Sequence, residues 1–158
     1  MSIKKVNAYF QTLGIADRIR VLPASSATVT LAAQALGCEE CRIAKTLSFL
    51  QGDKPILIVT AGDVKIDNTK YKAVFGIKAK MMTAEQAAQL VGHAVGGVCP
   101  FAVNDGVEIF LDESLKRFDT VFPACGSSNS AIELTIPELE RFSGYHRWVD
   151  VCKPKETA

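Results

Sequence analysis

The chain has 158 residues, 48% hydrophobic and 22% charged, with a formal net charge of +1. That length is one domain's worth and can bury roughly 70% of its unfolded surface, so folding needs no disulfide or metal staple. The composition excludes a disordered, collagen-like or coiled-coil chain, and the charge excludes a uniformly basic nucleic-acid coat.

Residues 3–13 carry Ile3, Val6, Phe10 and Leu13 at helical spacing, and Gly14 stops the helix. Residues 19–22 read as a short strand ending at Pro23. Residues 28–36 read as a helix behind a Ser/Thr cap region, closed by Gly37. Residues 43–50 and 56–61 read as a hairpin around the turn Gln51-Gly52-Asp53-Lys54-Pro55. A helix over 68–75 and a strand near 78–81 follow. Residues 83–91 read as a helix with a capping box between Thr83 and Gln86. Residues 95–101 bear glycine and proline and read as a loop. A strand over 107–111, a helical turn over 113–118 and an extended segment over 120–123 come next. Residues 131–135 read as a strand, 137–142 as a helix with Pro137 in its first turn, and 147–151 as a terminal strand. Helices and strands mix without a strict β-α-β rhythm. With the hairpin, this predicts an α/β fold around a mixed sheet.

Charge is unevenly spread. Residues 1–80 hold 12 Lys/Arg against 6 Asp/Glu, and residues 81–158 hold 6 against 11. A basic half lets a near-neutral protein meet an anionic partner on one face. Lys65, Lys70, Lys72, Lys78 and Lys80 lie close together with only Asp67 against them. They are either a solvated face or a phosphate-contacting patch. The 5 cysteines, Cys38, Cys41, Cys99, Cys125 and Cys152, are odd in number and scattered. The first residues lack an apolar signal region, and no run reaches membrane-spanning length. The expectation is a cytoplasmic protein with free thiols and no membrane partner.

The strand Ile43-Ala44-Lys45-Thr46-Leu47-Ser48-Phe49-Leu50 is the most informative segment. Alternation puts Ile43, Lys45, Leu47 and Phe49 on one face, so Lys45 interrupts an apolar row. Burying an unpaired ammonium is costly. Lys45 therefore either pairs with a carboxylate or snorkels at an edge, or it lines a site. The glycines of Gly92-His93-Ala94-Val95-Gly96-Gly97-Val98-Cys99-Pro100 serve a plain turn, or they let backbone N–H groups approach a phosphate or oxyanion. Gly126-Ser127-Ser128-Asn129-Ser130 is an ordinary polar turn or a set of hydrogen-bonding groups for a ligand. Cys38-Glu39-Glu40-Cys41 has the spacing of a metal or redox motif. No second such pair exists, and the glutamates would raise the thiol pKa values.

Three of these segments, in this order, resemble one family. They are Ile43-Ala44-Lys45-Thr46-Leu47, Val95-Gly96-Gly97-Val98-Cys99-Pro100, and Gly126 followed by Ala131-Ile132-Glu133-Leu134. Together they resemble the YbaK/prolyl-tRNA-synthetase-associated editing domains, over about residues 6–151. The resemblance implies that residues 1–158 form a single editing domain, with a barrel-like mixed sheet surrounded by helices. It implies a free-standing deacylase that hydrolyses the ester of mischarged aminoacyl-tRNA, using no metal and no cofactor. The expected substrate is tRNA for proline carrying a small wrong amino acid such as alanine or cysteine. The expected partners are the acceptor end of that tRNA and prolyl-tRNA synthetase.

Under the resemblance, Lys45 contacts the terminal adenosine or its phosphate. Gly96 and Pro100 match the family's Gly-x-x-x-Pro loop, which holds the ester near backbone amides. Lys45, Gly96 and Gly97 are the expected catalytic set. Thr28, Thr30, Thr46, His93, Cys99, Pro100, Gly126 and Ser127 are the expected substrate-binding set, the first two by approximate position. The chain departs from the cysteine-specific branch, whose functional serine and aspartate fall at Ala124 and Ala131. That departure opens the pocket to alanine or another small residue. Two other readings compete. One is a non-catalytic tRNA- or nucleotide-binding module serving a synthetase. The other is a redox or metal protein built on Cys38 and Cys41.

Overall fold

The apolar run from Ile56 to Ala61 does not alternate with polar residues, which is the pattern of a strand buried on both faces. The computed structural model describes residues 2–23, 28–94 and 96–155. Its chain begins with helix α1 (Ser2–Thr12), strand β1 (Arg20–Val21) and helix α2 (Val29–Leu36). The hairpin strands β2 (Ile43–Gln51) and β3 (Lys54–Ala61) follow, then β4 (Val64–Ile66) and α3 (Asn68–Phe75). Helix α4 (Ala84–Gln86) continues into a π-helical turn, Ala87–Val91. After β5 (Glu108–Asp112) and a 3₁₀ turn come β6 (Thr120–Pro123), β7 (Ser130–Ala131) and β8 (Leu134–Thr135). Helix α5 (Ile136–Ser143), β9 (Arg147–Val149) and β10 (Cys152–Pro154) complete the described elements.

The six-stranded sheet runs β8-β6-β2-β3-β5-β9 and curls into a half-barrel. It is mixed, as the hairpin predicts. β2 pairs antiparallel with β3 and β6 with β8, while the β2–β6, β3–β5 and β5–β9 pairs are parallel. β3 is central, and its Ile56, Leu57, Ile58 and Val59 are at most 1% exposed. Burial of such a row is the main favourable term in folding, at about 1.5–3 kcal/mol for each large side chain. The main core also takes Val6 and Phe10 of α1 and Leu139 of α5. A second, smaller core of Leu22, Ala32, Ala33, Leu36, Ile43, Phe122 and Ala131 holds α2 against the start of β2.

Local signals place the helices. Thr28 caps α2 by accepting from the Leu31 N–H, and Gly37 ends it in the left-handed conformation. Asp67 caps α3. Both Thr83 with Gln86 and Thr135 with Glu138 form complete capping boxes.

Three expected strands are corrected. Residues 78–81 form no strand; a single bridge joins Met81 to Phe49, with backbone bonds from Leu50 to Lys80 and from Met82 to Ser48. That is too short a ladder to continue the sheet. The expected strand over 131–135 splits into β7 and β8, because Ile132 donates to the Pro123 carbonyl while β7 pairs with β1 and β8 with β6. The terminal strand over 147–151 also breaks. The Val151 N–H turns to the buried Asp112 carboxylate, and the chain continues as β10, antiparallel to β4. Among the described residues, no helix is long and apolar enough to cross a membrane.

Candidate functional site

A cleft of about 460 Å³ opens where α2, the first half of β2, Met81 and Met82, the glycine loop and the β6–β7 corner meet. Its size falls within the range of small-molecule sites. The second core sets its back wall, since Ala32, Leu36, Ile43, Phe122 and Ala131 belong to both. Thr28, Lys45, Thr46 and Gly96 come together on its lining. So do Ala124 and Ala131, which an isolated bridge joins.

Lys45 is half-buried, and its Nζ donates to the main-chain carbonyl of Val64. No carboxylate pairs with it among the described residues. Burial, then the neighbouring Lys155 ammonium, pushes its pKa down from 10.5 to about 8. Among the described residues, the Oγ1 of Thr46 is buried without a hydrogen-bond partner, which costs about 1–3 kcal/mol for an unsatisfied hydroxyl.

The glycine loop divides its labour. Gly96 adopts φ +91, a left-handed conformation that favours glycine, and lines the cleft beside Val98. Among the described residues, the N–H groups of Gly96 and Val98 carry no hydrogen bond. Gly97 behaves differently. Its N–H donates to the Ala94 carbonyl at 3.0 Å, and it is outside the lining. A Cβ at Gly97 would sit 2.7 Å from both Gly126 C and Ser127 N. Gly97 is therefore a close contact between the glycine loop and the Gly126–Ser127 backbone.

Other expected residues also lie outside the cleft lining. Thr30 is exposed and donates to Glu40 at 2.9 Å, because it sits on the solvent side of α2. His93 and Cys99 are fully buried. His93 Nε2 lies 2.7 Å from the Phe101 carbonyl and 3.6 Å from Cys99 Sγ, while its Nδ1 is buried without a partner among the described residues. Bonding to a carbonyl makes Nε2 the protonated nitrogen. Burial lowers the His93 pKa and pushes the Cys99 thiol up to about 12. Pro100 and Gly126 are buried too. Ser127 stands one step behind the lining, 2.7 Å from the hydroxyl of Ser130.

Of the polar turn 126–130, Ser130 lines the cleft; Ser48 and Met81, which the sequence did not mark as site residues, line it too. Cys38 and Cys41 are half-buried free thiols, both raised first by burial. Among the described residues, no group of three or more His, Cys, Asp or Glu side chains is arranged to hold a metal.

Residues 24–142 match the family described as the aminoacyl-tRNA editing domain. The chain is 51% identical to the uncharacterized protein YwhH of Bacillus subtilis, over 99% of this chain and 100% of that protein. It is 29% identical to part of the proline–tRNA ligase of Lactiplantibacillus plantarum, covering 70% of this chain but only 19% of the ligase. The chain thus spans about a fifth of that enzyme's length. Among solved structures, a proposed trans-editing enzyme for prolyl tRNA synthetase superposes with a TM-score of 0.86 at 30% identity, covering 96% of this chain and 97% of that one.

Proposed function

The chain belongs to the aminoacyl-tRNA editing domain family, and from that premise we propose that it is a deacylase acting on mischarged tRNA. The convergence of Lys45 and Gly96 on one cleft carries the reading. An ammonium supplies an anchor for the anionic end of the tRNA, and a glycine turn supplies close backbone approach to the ester.

The reaction is ester hydrolysis. Water adds to the aminoacyl carbonyl, the bond from carbonyl carbon to ribose oxygen breaks, the ribose oxygen takes one of the water's protons to become a hydroxyl, and the other proton passes to solvent. The amino acid leaves as its carboxylate. Among the described residues of the loop, the N–H groups of Gly96 and Val98 are left to donate to the tetrahedral oxyanion, whereas that of Gly97 donates to Ala94. Holding the ester against these donors supplies positioning, which by itself can carry much of the barrier. A thiol nucleophile is not needed, and Cys99, fully buried with its pKa near 12, does not supply one. Thr28, Thr46 and Ser130 offer hydroxyls to the aminoacyl group.

The proposed substrate is tRNA for proline carrying a small wrong amino acid. Ala124 and Ala131 present methyl groups where the cysteine-specific branch carries serine and aspartate. This supports alanine at least as well as cysteine. Residues 1–158 would then act as one editing domain beside prolyl-tRNA synthetase, in the cytoplasm where tRNA is charged. The test is a deacylation panel of alanyl-, cysteinyl- and seryl-tRNA. Turnover of at least one supports the reading; no turnover on any, with enzyme near substrate concentration, refutes it.

A further inference from the structure

The short sheet made by β4 and β10 holds a second feature. Lys65 and Lys153 are direct antiparallel partners, so their side chains leave the same face. The ladder continues past β10, with the Lys155 N–H donating to the Asp63 carbonyl. Lys153 and Lys155 are exposed and Lys65 is half-exposed. Like charges directly opposite on a β-ladder destabilise it. Among the described residues, none of the three ammonium groups is paired with a carboxylate.

The nearby acids are occupied elsewhere. Asp63 takes two hydrogen bonds from Arg117, at 3.0 and 2.6 Å. Asp67 accepts from the Thr69 and Lys70 N–H groups at the start of α3. Asp150 pairs with Lys70 at 3.0 Å. Among the described residues, the strip is therefore a row of cations with no direct carboxylate contact, on which Asp63 and Asp67 act only at longer range. It is also continuous with the cleft, since Lys45 Nζ bonds the Val64 carbonyl, next to Lys65 on β4.

We propose that Lys65, Lys153 and Lys155 form the landing surface for the phosphate backbone of the tRNA acceptor arm, leading its terminal nucleotide to Lys45. The inference rests on the deacylase reading for the identity of the polyanion. A regularly charged backbone favours such a row, and each lysine on a phosphate releases a counterion. Lys70, by contrast, is held by Asp150 and the Cys152 carbonyl and is not part of the surface.

Binding of an uncharged full-length tRNA transcript to the intact protein, followed across a potassium chloride series, tests this without requiring turnover. The charge-matched control Lys4→Gln/Lys54→Gln alters α1 and the far end of the β2–β3 hairpin. In Lys65→Gln/Lys153→Gln the slope of log affinity against log salt should fall in magnitude by about two, with roughly tenfold weaker binding. The trinucleotide CCA, which lacks the stem, should bind both variants and wild type alike. An unchanged slope in Lys65→Gln/Lys153→Gln, or an equal fall in the control, overturns the proposal. The two readings fail separately. Steep tRNA binding through the strip without deacylation removes only the deacylase, and deacylation with an unchanged slope removes only the strip.

Discussion

The cleft and the packed core behind the glycine loop both hold residues capable of chemistry. In the core, His93 and Cys99 lie 3.6 Å apart, close to a nucleophile–base pair by residue type. Both are fully buried, and burial favours the neutral form of each. In the cleft, Lys45 and Thr46 are partly open and Gly96 offers backbone. The contrast teaches that access and unsatisfied polarity mark a site more surely than reactive residue types do. His93 and Cys99 both contact the Phe101 carbonyl at the loop's end, whereas Lys45 and Gly96 line the cleft.

Predictions from the largest effect to the smallest probe that contrast. Lys45→Ala should lower kcat/KM on a mischarged tRNA by roughly 10- to 150-fold, as expected for a charge-assisted hydrogen bond worth about 1.5–3 kcal/mol. Activity near wild type would move the site away from the cleft. Gly97→Ala forces a Cβ into the Gly126–Ser127 backbone, and such overpacking costs about 1–3 kcal/mol. Thermal unfolding should record a fall in Tm of several degrees, with a parallel loss of kcat as the loop shifts.

The pH dependence of tRNA binding comes next. Lys45 holds its proton below about pH 8 when folded and below about 10.5 when unfolded. Between those values the unfolded chain binds the extra proton, so this group's contribution to stability rises with pH there. The ammonium itself is lost over the same window, so tRNA affinity should fall as pH rises through 8. In Lys45→Arg that fall should vanish, because a guanidinium stays charged. Persistence of the fall in the arginine variant would assign it to another group. Smallest of all, Cys99→Ala should leave kcat/KM within about threefold while lowering Tm modestly, the cost of a small buried void. A large loss of kcat with an unchanged Tm would reinstate the thiol as a participant.

Local signals made much of the fold legible. The 3.6-residue spacing of Val6 and Phe10, the glycine stops, the Thr83 capping box and the hairpin turn each act within a few residues, and each element stands as expected. Pairing between distant segments was not legible. Nothing near Lys65 announces that it faces Lys153, nor does anything near Ala131 announce the break after β7. The charge asymmetry shows the same limit. It divides the sequence into a basic and an acidic half, yet the cationic strip joins β4 from the first to β10 from the second. For the cleft, the resemblance named Lys45, Thr46 and Gly96, which the fold gathers, and also Thr30, His93 and Cys99, which packing turns away. The polar turn 126–130 was legible as a candidate, but that Ser130 is its lining residue depends on the corner between β6 and β7.

The central claim is that ester hydrolysis takes place in the cleft anchored by Lys45. Single-turnover deacylation of alanyl-tRNA and cysteinyl-tRNA for proline, with wild type and Lys45→Ala side by side, tests it most directly. The account predicts release of at least one amino acid by wild type and a loss of roughly tenfold or more in the variant. Equal rates for the two proteins, or no release by either, would contradict it.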